Sequence, residues 1–157
     1  MAEYVVTNGL GAGTQQPLTT SYKTIIALTA QTADISRFRI YEMIFGTNGA
    51  PADNYIEWDV VQQTAAGTAT VIVPNPCDPA DGPSGILAVA NATAEGTITA
   101  LSEQFYLGLN QRASFRWQES TPSRMLIAPA VNLTGLAIRA RSGAYTGTVT
   151  LTVKFME

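Results

Sequence analysis

Gly147-Thr148-Val149-Thr150-Leu151-Thr152-Val153-Lys154-Phe155 is the stretch whose reading decides the fold class. Val149, Leu151, Val153 and Phe155 fall on one face; Thr148, Thr150, Thr152 and Lys154 fall on the other. This period-two alternation belongs to a strand with one face in a core and one in water.

Working back from that strand, the same signal recurs. Leu136 to Arg141 puts Leu136, Ile138 and Ala140 inward and Arg139 and Arg141 outward. Arg124 to Ala128 precedes Pro129. Ser114 to Gln118 carries Phe115 and Trp117 on one face. Gln104 to Leu109, Thr97 to Leu101 and Thr68 to Val73 read as further strands. Tyr55 to Gln63 sets Ile56, Trp58 and Val60 against Glu57 and Asp59, and Arg37 to Phe45 turns apolar on both faces at its end. Lys23 to Ala30 opens the series. About ten strands at this spacing, separated by turn signals such as Asn48-Gly49, predict an all-β chain: a β-sandwich or jelly-roll-like barrel. Residues 74–97 form its least strand-like stretch, with Pro74, Pro76, Pro79 and Pro83 among glycines and aspartates. They read as a Pro/Gly-rich connection in which Ile86 to Asn91 makes a helical turn or two.

Residues 1–21 do not read as core. They hold Gly9, Gly11, Gly13 and Pro17, with Tyr4, Val5, Val6, Leu10 and Leu18 as spaced apolar points. The expectation is an extended N-terminal arm preceding a single β domain over residues 22–157. Such an arm orders when it lies across a partner, with those five residues as its contacts. Deleting it should leave a folded domain.

Only 13% of the 157 residues are charged, about half the usual share. Residues 1–81 carry eight acids and three bases; residues 82–157 carry four acids and six bases. That polarity suits ordered contacts between neighbours, and the lack of a Lys/Arg cluster argues against direct nucleic-acid binding. No apolar run approaches the ~20 residues of a membrane helix, and no signal-peptide pattern opens the chain. A soluble protein made in the cytoplasm is expected. Asn91-Ala92-Thr93 and Asn132-Leu133-Thr134 then match the glycosylation sequon by chance.

The chemistry-bearing residues are few. The chain has no histidine, which removes every His-based triad or metal site. The single cysteine, Cys77, stands beside Asp78, a poor setting for a thiolate. Glu57 and Asp59 project from one strand face about 7 Å apart, a spacing usable in glycoside hydrolysis, but better read as a solvated strand face. Asp78-Pro79-Ala80-Asp81-Gly82 supplies too few oxygens for calcium and reads as a turn. No catalytic residue, metal site or cofactor is expected. Arg112, Phe115, Arg116 and Trp117 form an Arg/aromatic cluster of the kind enriched in interfaces.

Several segments taken together resemble the capsid decoration (cement) proteins of tailed bacteriophages. They are Tyr22-Lys23-Thr24-Ile25-Ile26, Arg39 to Thr47, Pro51-Ala52-Asp53-Asn54, Asn110 to Trp117 and Ala137 to Gly147. The resemblance implies a trimeric β-sandwich on the outside of an icosahedral head, made in the bacterial host cytoplasm. It implies binding to the major capsid protein at three-fold and quasi-three-fold positions, and no enzymatic activity. Phe105, Tyr106, Arg112 and Trp117 are the expected trimer interface. Alternatives are a head-fibre or receptor/carbohydrate-binding module displaying Tyr55, Trp58 or Trp117, and another virion part such as a tail-tube or head-completion protein.

Overall fold

The computed structural model describes residues 1–9, 11–31, 37–50, 52–128 and 131–157. Leu10, Pro51 and Pro129 lie outside the described residues. The described chain is all-β. Its strands are Glu3–Thr7 (β1), Lys23–Ala30 (β2), Arg39–Thr47 (β3), Tyr55–Ala65 (β4), Thr68–Ile72 (β5), Asn75–Pro76 (β6), Ile86–Ala94 (β7), Thr97–Ile98 (β8), Phe105–Asn110 (β9), Phe115–Gln118 (β10), Leu126–Ile127 (β11), Gly135–Arg141 (β12) and Val149–Met156 (β13).

They form two antiparallel sheets packed as a sandwich. The first runs β10-β3-β13-β1-β6, with β11 also on β3; the second runs β5-β7-β2-β12-β4-β8, with β9 also on β4. β13 lies between β3 and β1 and buries Val149, Leu151, Val153 and Phe155, the face its alternation predicts. Ile26, Leu28, Ile56, Trp58, Val60, Leu136 and Ile138 meet that face from the second sheet. Each such side chain contributes ~1.5–3 kcal/mol on burial.

A smaller core of Ala27, Val61, Val89 and Ala137 lies on the other face of the second sheet. β4 passes into β5 through Ala66-Gly67, and β7 into β8 through Glu95-Gly96, so the two ribbons fold over this face together. Their backbones touch at the bend. A Cβ on Gly67 would stand 2.0 Å from the Ala94 carbonyl oxygen, and one on Gly96 2.3 Å from that of Ala65. Only glycine fits so close an approach. β2, covered on both faces, is buried at every position after Lys23.

Three expectations are corrected. Ile86 to Asn91 is strand β7, and the expected connection at 74–97 shrinks because β6 and β7 occupy much of it. Residues 1–21 are not an arm set apart from a domain at 22–157: β1 is an inner strand of the first sheet, pairing β13 from Glu3–Met156 to Thr7–Thr152 and β6 at Tyr4 and Val5. Tyr4, Val6 and Leu18, expected as capsid contacts, are buried in the chain's own core. Tyr4 stacks on Phe155 at 5.5 Å and its hydroxyl donates to the Gly82 carbonyl.

Candidate functional site

On one lateral side of the sandwich, β9 ends the second sheet and β10 ends the first, joined by the turn at residues 111–114. Phe105 and Trp117 meet edge-to-face across this seam, 5.8 Å between ring centroids. Phe45 lies behind them, 6.0 Å from Phe105, 6.2 Å from Phe115 and 4.9 Å from the buried Trp58. Phe105, Leu107, Leu109 and Trp117 are half-buried and pack on the main core. Phe115 is exposed. The seam is an apolar strip closed on the inside and open to solvent along its length.

Of the four residues expected at a trimer interface, the seam brings Phe105 and Trp117 together. Tyr106 alternates to the opposite face of β9, where it is exposed and its hydroxyl donates to Glu57 at 2.9 Å. Arg112 sits at the exposed turn and pairs with Asp53 at 3.0 Å. Trp58 is fully buried.

The Glu57 and Asp59 face is not solvated as expected. Arg139 grips both carboxylate oxygens of Asp59, which is buried, and Arg141 pairs with Glu57. Tyr22 lies under both guanidinium groups, 4.6 and 4.7 Å from its ring centroid. Burial pushes the Asp59 carboxyl up despite the Arg139 hydrogen bonds, while hydrogen bonds from Arg141 and Tyr106 hold Glu57 down. Each carboxylate is paired with an arginine, so the pair braces the sheet. On the other sheet, Glu42 is buried between Arg116 at 3.0 Å and Lys154 at 3.2 Å. Burial alone would raise its pKa; the hydrogen bonds and charges of the two cations outweigh it and hold the carboxyl below its ordinary range.

The opposite lateral side is closed by the segment after β1. Asn8 donates to the Asn91 side chain at 3.1 Å and to the Val149 carbonyl, and accepts from the Leu151 amide. Asn91, at φ 55°, donates to the carbonyls of Asn8 and Ala12. Gln15 adds bonds to Asn8 and Val149. Buried amides satisfied in this way fasten the segment as a strap. Beyond it a groove of about 270 Å³ runs between β1 and β5, lined by Val5, Val6, Val71, Ile72 and Val73 among others. Val5 is therefore the half-buried member of the expected contacts, and Leu10 lies outside the described residues.

Asp78 caps its own turn, accepting from the Ala80 amide, and no cluster of three metal-ligating side chains occurs among the described residues. Cys77 is exposed. The residues that sequence reasoning missed are Asn8, Asn91 and Glu42, whose roles depend on partners far along the chain. Comparison with known protein families, characterised proteins and solved structures found no match.

Proposed function

We propose that this protein is a structural virion component that decorates and braces the outside of a phage capsid, bridging major capsid protein subunits as a trimer. The observation that carries the reading is the Phe105–Trp117 seam, a solvent-open apolar strip along a sheet edge. Strips of that kind, with aromatic anchors and few charges, are association surfaces. The motif resemblance supplies the partner class, and the low charge suits broad protein contacts. Many copies acting together would make a modest single-site affinity effectively permanent. The corrected fold changes how the capsid is met: Tyr4, Val6 and Leu18 are core, so capsid contact falls to exposed side chains.

The test is co-sedimentation of the purified protein with expanded, undecorated phage heads, with its free mass read by light scattering. Saturable binding by a trimeric protein supports the reading. Absence of binding, with a monomeric or hexameric free state, overturns it and moves weight to a receptor-binding or tail component.

A further inference from the structure

The two sheets treat their edges differently. The first sheet is blunted at both ends: β6 is two residues long and ends in Pro76, and β10 carries Arg116. The second sheet ends in β5 and β9, and neither carries a charge or a proline. Charge is absent from Val60 through Cys77 and from Gln104 through Gln111. Among the described residues, no strand pairs with the outer edge of either. Soluble monomers guard long edges with lysine, proline or a bulge, because bare edges pair with other chains.

The sheet's own parity says which edges fit. From β5 through β7, β2, β12 and β4 to β9 there are six strands, every neighbour antiparallel. β5 and β9 therefore run in opposite directions, and a second copy in the same orientation presents its β5 antiparallel to β9 of the first. The side chains match as well. β9 turns half-exposed Leu107 and Leu109 toward the space between the sheets. At the far end of the same sheet, β5 turns half-buried Ile72 toward that same space, beside the groove of about 270 Å³, while exposed Val71 shares the other face with Val89.

We propose that β9 of one protomer pairs antiparallel with β5 of the next, continuing the second sheet from copy to copy in a head-to-tail ring. Such contacts between unlike patches close into rings when the rotation permits. The inference deepens the trimer part of the proposed function and is independent of the capsid.

Two gatekeeper variants test it. Gly108→Lys places a lysine on the β9 edge where a Cβ meets nothing within 4 Å, and Val71→Lys places one at an exposed site on β5. Each should fold, checked by near-ultraviolet circular dichroism and thermal melting, with Tyr106→Lys as a second β9 variant should Gly108→Lys melt early. The wild-type protein is expected at three chain masses and each variant at one. Mixing the two variants restores one intact junction, the good β9 of V71K with the good β5 of G108K, and should give two chain masses. A monomeric wild type overturns the pairing, as does either single variant that keeps the wild-type mass, or a mixture that stays monomeric. Head binding is read separately: a ring that ignores heads sinks the capsid reading alone, and a monomer that saturates heads sinks the pairing alone.

Discussion

Where β9 meets β10, the sandwich is closed by Phe105, Phe115 and Trp117, which stay partly in solvent; at the strap it is closed by Asn8 and Asn91, buried with their amides bonded. The difference lies in what each closure leaves available. An aromatic strip has no fixed number of partners, so a second surface can extend it. A satisfied amide network has no bonds left to offer and excludes anything added. The seam is therefore open to association along its strip, while at the strap association is left to the bare β5 edge beside it.

The most severe way to break this comparison is to delete residues 1–20. That removes β1, the buried amide of Asn8 and the three large buried apolar side chains Tyr4, Val6 and Leu18, each of the three worth ~1.5–3 kcal/mol. The truncated chain should lose its near-ultraviolet circular dichroism and its cooperative melt; a folded product would return these residues to the status of an arm. Next comes Asn91→Ala, expected to lower stability in urea by about 3 kcal/mol through unpaired buried groups, with no change in self-association. Asn91→Gly sharpens the result: it relieves the left-handed backbone and should recover about 1 kcal/mol of that loss, the remainder belonging to the hydrogen bonds.

On the seam side the order of effects reverses. Phe105→Ala should cost about 2 kcal/mol, less than a fully buried phenylalanine, yet abolish self-association seen by sedimentation velocity. If stability falls and association persists, the seam is core and nothing more. Glu42, close by on β3, gives a pH signature. Its folded-state pKa is depressed, so its contribution is present above the ordinary glutamate range and is lost as pH falls below about 4.5. Glu42→Gln should flatten the acid limb of a melting-temperature profile, and an unchanged limb would assign acid sensitivity elsewhere. The smallest effect belongs to Arg112→Ala, under about 0.5 kcal/mol, because its pairing with Asp53 is solvent-exposed.

Most strands are legible in the sequence because half-buried strands announce themselves by alternation, as β13 does; β2, buried on both faces, shows instead as the apolar run from Lys23 to Ala30. β7 misleads because Ala88, Ala90 and Ala92 favour helix by propensity. Its alanines are small for another reason: the strand lies between the main core, which takes Ala88 and Ala90, and the second core, which takes Val89. The strap is illegible because glycines with scattered apolar residues look the same free or fastened, and Asn8 is 83 positions from its partner. At the seam, composition finds Phe105 and Trp117, while strand alternation turns their neighbour Tyr106 to the other face.

The pairing of β1 with β13 joins Glu3 to Met156 and Thr7 to Thr152, almost the full span of the chain. During synthesis the first strand leaves the ribosome with its main partner still to be translated. Loop-closure entropy for so distant a contact must be met before the contact rewards it, which slows folding. Until then the bare edges of the second sheet stand beside an unfinished first one, the state in which nascent β proteins aggregate. The same long-range lock ties β1 and β13 together: neither can peel away without breaking the ladder that holds the other.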